Sequence, residues 1–194
     1  MTAPYVPLRV FSCFTMLEGA MEPKAIAARA ASLGFPAAAV TDRNGLYAAM
    51  PFTEACVTKG VQPIIGTILA VARPPELEQA IDWLVLLAKD EQGYANLCKL
   101  VSAAHLDRPL AEQPHVSFAK LEGLNEGLIA LTAGGEGALA RLLADGQRSK
   151  AEAYLDRLCG LFTDRLYIEL SRRGDPIEEA AENGLIDFAY QRDL

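Results

Sequence analysis

A chain of 194 residues, 51% of them hydrophobic, is long enough to bury one substantial core and is read as a single domain. Its formal charge of −7 comes without the clustered Lys and Arg that a duplex-binding surface needs to displace phosphate counterions, so direct DNA binding by this segment is not expected. There is no signal-like start and no apolar run near bilayer length, which argues against a membrane partner. The four cysteines (Cys13, Cys56, Cys98, Cys159) lack any paired spacing and read as reduced packing residues of a cytoplasmic protein.

Taken in order, apolar runs of strand length alternate with amphipathic stretches. Pro7–Phe11 reads as a first strand. Glu22–Leu33 reads as a helix, with Pro23 in its first turn and Gly34 just past its end. Ala37–Val40 is a buried strand, broken by the polar cluster Thr41-Asp42-Arg43-Asn44-Gly45. Ala48–Lys59 is a helix ended by Gly60, and Val61–Ala72 returns to β-branched and aliphatic residues. This βαβ unit puts Asp42 and Arg43 at the C-terminal end of a strand, where parallel α/β folds carry their chemistry.

Beyond it, Trp83–Ala88 is continuously apolar, as in a strand covered on both faces, which makes Trp83 a core residue. Gln92–His105 is an amphipathic helix and Leu106–Val116 a loop. Ser117–Leu121 is a helical turn, Gly127–Leu131 a strand, and Ala138–Ala144 and Ser149–Leu161 are helices. Arg165–Leu170 is a strand, and Pro176–Gln191 a helix interrupted at Asn183-Gly184. About six strands alternating with helices predict an α/β fold, a distorted parallel (β/α) barrel with every strand's C-terminal end on one face.

Several segments resemble the polymerase-and-histidinol-phosphatase (PHP) domain at the head of bacterial DNA polymerase III alpha subunits. They are PLRVFSCFTMLEGA (7–20), TDRNGL followed by a helix and QPIIG, the stretch 84–106, EGLIALTAGG (126–135) and RLYIELSRRG (165–174). The resemblance implies a PHP-type barrel truncated before its last strands, the chain being the first part of a longer polymerase. Active PHP members hold two or three metal ions on His, Asp, Glu and Cys ligands and hydrolyse phosphate esters, because a metal-bound water becomes hydroxide near neutral pH.

Carried onto this sequence, the opening His-x-His falls on Arg9 and Phe11, and the first carboxylate on Glu18. The His after Thr-Asp falls on Arg43, the next Glu on Ile68 or its neighbour Thr67, and a Cys on Gly134. A unit positive charge about 4 Å from another costs roughly 4 kcal/mol at an effective dielectric of about 20. A divalent ion facing Arg9 and Arg43 would meet that repulsion several times over. The expected arrangement is a vestigial pocket with no metal and no cofactor, in which Arg9 and Arg43 pair with Glu18 and Asp42.

The remaining candidates carry less. His105 and His115, the two histidines, flank a proline-containing loop and read as structural. Thr132–Gly137 lacks the Lys of a P-loop and reads as a tight strand-to-helix turn, and Ser12 and Cys13 have no nearby histidine base. Arg172-Arg173 reads as a solvated rim, and Arg141 and Arg148 as helix residues needing no partner. What the resemblance implies is a non-catalytic scaffold whose partners are the remainder of the polymerase chain and the proofreading exonuclease subunit. The alternatives are a metal-dependent PHP-type phosphoesterase, or the same domain of an error-prone paralogue.

Overall fold

The computed structural model describes residues 5–194. One mixed sheet of five strands organises them, in the order β1 (Ala37–Arg43), β2 (Gln62–Ala72), β3 (Ile81–Ala88), β4 (Leu128–Leu131), β5 (Leu166–Tyr167). β1 and β2 are parallel and β4 and β5 are parallel, while β3 runs antiparallel to both its neighbours. Four strands therefore point one way, and the expected common C-terminal end holds for them. β3 is reversed, so its N-terminal residues Asp82 and Trp83 stand at that end instead. The fold is thus α/β, built on one mixed sheet with its helices packed against it, rather than on the uniformly parallel sheet expected.

Seven helices accompany the strands: α1 (Pro23–Ser32), α2 (Ala49–Lys59), α3 (Glu91–Leu106), α4 (Phe118–Glu122), α5 (Ala138–Ala144), α6 (Arg148–Leu161) and α7 (Pro176–Arg192). Local chemistry sets their ends. Gly60 adopts the left-handed conformation (φ 70°) that closes α2, and the Asp90 and Ser117 side chains cap α3 and α4 by accepting from Gly93 N and Lys120 N.

Strand alternation divides the apolar residues between two faces. Leu69, Val71, Leu84 and Leu86 point outward into the main core with α3 to α7, where Phe162 and Phe188 are fully buried. Ala39, Ile68, Val85, Leu87 and Leu131 point inward and form a smaller cluster with Phe11 and Trp83 at its margin. A third cluster seats α1 and α2 against β1 around Phe52 and Cys56.

Three expectations are corrected. Pro7–Phe11 is not a regular strand: it meets β1 through Ala39 N donating to Pro7 O (2.8 Å) and Thr41 N donating to Val10 O (2.9 Å). Three residues on one side thus span two on the other, and no even ladder can form. The strand placed over Arg165–Leu170 shrinks to two residues, because Glu169 N donates to the Thr132 hydroxyl (3.0 Å) rather than to a backbone carbonyl. The helix placed over Pro176–Gln191 is not interrupted at Asn183-Gly184. Gly184 is instead where α7 packs on α5: a Cβ there would lie 3.0 Å from a Leu143 methyl carbon.

Candidate functional site

The pocket lies where β1 and β4 end and β3 begins. Arg9 and Arg43 enter it from neighbouring segments and meet on one carboxylate. Arg43 Nη2 donates to Glu136 Oε1 at 2.6 Å, and Arg9 Nη2 pairs with Glu136 Oε2. Glu136 gets there because β4 runs into the buried turn Thr132–Gly137, which holds a single 3-10 turn at Gly134–Glu136. Arg9 also donates to Glu169 Oε1 (2.6 Å), just past β5, and to Ala133 O (3.3 Å). Arg43 holds Glu18 with two parallel bonds, Nε to Oε1 at 2.8 Å and Nη2 to Oε2 at 2.6 Å. The outcome is a chain of alternating charge, Glu169–Arg9–Glu136–Arg43–Glu18, joining five segments of the fold.

Aromatic faces fix the planes of these guanidiniums. Arg43 stacks 4.5 Å from the Trp83 ring and 5.1 Å from the Phe11 ring, and Arg9 lies 6.0 Å from Phe11. Trp83, read from the sequence as core, is therefore a half-buried wall of the pocket, put there by the reversal of β3. Burial opposes the charge on Arg43, but its hydrogen bonds to Glu18 and Glu136 outweigh that and raise its pKa above the ordinary value.

Asp42 does something different from what its charge suggests. It is 2% exposed, and its carboxylate bonds to neither guanidinium. It accepts from Ser12 N (2.9 Å), from Ser12 Oγ (2.8 Å to Oδ2) and from Thr15 Oγ1 (2.8 Å), and so pins the segment after Phe11 onto β1. The expected pairing of Asp42 with Arg9 or Arg43 is thus corrected, while that of Glu18 with Arg43 is present. Ser12 is fully buried with both its polar groups on Asp42, which leaves no exposed hydroxyl to act as a nucleophile.

The other sites named from sequence also have positions. Ile68 is fully buried beside Arg43 in the β1–β2 register and supplies only apolar floor. Gly134, at φ 54°, lies so close to the carboxylates that a Cβ there would stand 3.8 Å from both Glu169 Oε1 and Glu178 Oε1. His105 Nε2 is 2.8 Å from Asn44 O and His115 Nδ1 is 2.8 Å from Gln113 O, so both histidines serve loop backbone. Arg141 and Arg148 do find partners, Asp82 at 3.1 Å and Asp187 at 3.4 Å. Arg173 is more than rim: with Ser171 it holds the buried Glu178. Burial works against that carboxylate's charge, yet the bonds from Ser171 and from Arg173 lower its pKa.

Glu136 and Glu169 escaped the sequence reading although both follow strands. Their position just past the C-terminal ends of β4 and β5 was the available signal. The donor set does not fit a metal ion. Arg9 and Arg43 bring guanidiniums into it, and Glu18, Glu136 and Glu169 are each bonded to one. Among the described residues no group of three or more His, Cys, Asp or Glu side chains is placed to hold one.

This geometry makes the pocket acid-sensitive. The hydrogen bond from Arg43 lowers the Glu18 pKa below its ordinary value of 4.5. A carboxylate with a depressed folded-state pKa stabilises the fold above its unfolded value, and that contribution is lost as pH falls through the folded one. The urea midpoint is expected to fall as pH drops from about 5 to 3, with a shallower slope in Arg43→Met. Equal slopes in the two proteins would contradict the pairing.

Over 194 aligned residues the chain is 40% identical to DNA polymerase III subunit alpha of Caulobacter vibrioides, with 98% of this chain and 17% of that protein covered. Over 190 residues it is 34% identical to DNA polymerase III subunit alpha of Vibrio cholerae, with 98% and 16% covered. The chain spans about a sixth of the length of these relatives. A crystal structure provisionally described as a metal-dependent phosphoesterase, from Bifidobacterium adolescentis, superposes with a TM-score of 0.62 at 16% identity, covering 100% of this chain and 85% of that one. At that identity the likeness speaks for the fold alone. No helix among the described residues is long and apolar enough to cross a membrane. The family model of the PHP domain matches residues 7–173, and the chain belongs to the PHP domain family.

Proposed function

We propose that the chain is the N-terminal PHP segment of a replicative DNA polymerase III alpha subunit, a cytoplasmic protein, and that it serves the polymerase as a scaffold without catalysing. The names of the relatives support the first part. One observation carries the second: Arg9 and Arg43, on positions where active family members carry ligands, share Glu136 between them. In this network two guanidinium charges stand against the carboxylates, which opposes the approach of a divalent ion and so the activation of a water on it.

The partners in this reading are the remainder of the polymerase chain and the proofreading exonuclease subunit. The exonuclease rests on the family resemblance, and the charge of −7 suits a docking segment rich in Lys and Arg while repelling free DNA. The phosphoesterase alternative makes the sharpest test. Incubated with Mn2+ or Zn2+ and a chromogenic phosphomonoester, the purified chain is expected to release product no faster than buffer. Saturable turnover that scales with protein concentration would overturn the non-catalytic reading.

A further inference from the structure

The segment from Ser12 to Met21 is built inside out. Its ends close on one another, Cys13 N donating to Met21 O at 2.8 Å, and Gly19 crosses so near that a Cβ would stand 1.8 Å from Ser12 O. Its polar residues face inward: Ser12 and Thr15 are buried on Asp42, and Glu18 is clamped by Arg43. Its large apolar side chains face out. Phe14 is 46% exposed, Met16 82%, Leu17 fully and Met21 40%. Leu17 moreover holds a left-handed backbone, φ 72°, uncommon for a residue other than glycine.

Scattered exposed apolar residues need no explanation, but four on one ten-residue loop anchored from beneath single that loop out as an interaction surface. We propose that this loop docks onto the rest of the polymerase polypeptide, and that the residues of the former metal pocket now hold it in shape. The proposal rests on the polymerase reading above. The segment accounts for about a sixth of its relatives' length, so the remaining polypeptide is present at a high effective concentration and meets the patch before any separate protein. Glu22, exposed at the end of the loop, adds a negative charge beside the apolar tips, so the covering surface is apolar with a basic group at that edge.

Peroxide oxidation of methionines tests this within one molecule. Met16 and Met50, the latter on α2 and 67% exposed, oxidise at similar rates if both remain open. In the full polymerase polypeptide Met16 is expected to oxidise at least about tenfold more slowly than Met50, since docking excludes the oxidant from it alone. Leu17→Gly, which suits the positive φ and so keeps the loop folded, is expected to bring the Met16 rate back toward that of Met50. Met16 keeping pace with Met50, or slowing only when a second protein is added, overturns the proposal. Primer extension by the same preparation separates the failures. If it extends a primer while Met16 stays open, only the docking loop falls; if it extends none, the polymerase reading falls and the loop assignment with it.

Discussion

Asp42→Ala is expected to lower the unfolding free energy by about 3 kcal/mol, since hydrogen bonds to a charged group are worth about 1.5–3 kcal/mol each and their donors would be left buried without partners. The donors are Ser12 N, Ser12 Oγ and Thr15 Oγ1, so the loss falls on the loop as much as on β1. Asp42→Asn separates this account from an ion-pair account. An amide can still accept from the backbone and the hydroxyls, and its loss is expected to stay near about 1 kcal/mol. Were Asp42 the counterion of Arg9 or Arg43, the amide would cost nearly as much as alanine. Equilibrium urea unfolding of the two variants distinguishes these outcomes, and an Asn variant as damaged as the Ala variant would reject the hydroxyl anchor.

Glu136→Ala has the next largest expected effect. Removing one partner of a fully buried ion pair costs about 3–5 kcal/mol, because the other charge stays in a poor solvent. Here the side chains of Arg9, Arg43 and Glu136 are 13%, 17% and 25% exposed, so water relieves part of that cost. About 2–3 kcal/mol is the expected loss. Removing Arg43 as well should recover some of it, since the orphaned charge goes too. A double-mutant cycle between Glu136→Ala and Arg43→Met should therefore show coupling above about 1 kcal/mol. Additive losses would mean that the shared carboxylate contributes nothing as a bridge.

The sequence revealed more of the elements than of the contacts between them. Helix α5 follows Ala138–Ala144 residue for residue, and the βαβ unit around Asp42 is where its turn chemistry placed it. The misses are tertiary. Glu136 and Arg43 are 93 residues apart, and Glu169 and Arg9 are 160 apart, so no local pattern pairs them. The carried-over ligand positions suggested a bond from Asp42 to an arginine, but two hydroxyls satisfy that carboxylate and free both arginines for more distant partners. Trp83 sits in an unbroken apolar run, and only the reversal of β3 delivers its ring to a guanidinium. Asn183-Gly184 carries low helix propensity, and packing of α7 against Leu143 overrides it.

The central claim is that guanidiniums and their carboxylates fill the place of metal ions. Thermal unfolding with the cation varied tests it most directly. A ligand at 100 times its dissociation constant stabilises the native state by about 2.7 kcal/mol, which for a domain of this size moves the midpoint by roughly 5–10 °C. The midpoint in EDTA is expected to match that in millimolar Zn2+ or Mn2+ to within about a degree, the shift for a ligand that scarcely binds. A midpoint that climbs with cation concentration, and falls back when EDTA is restored, would contradict the account.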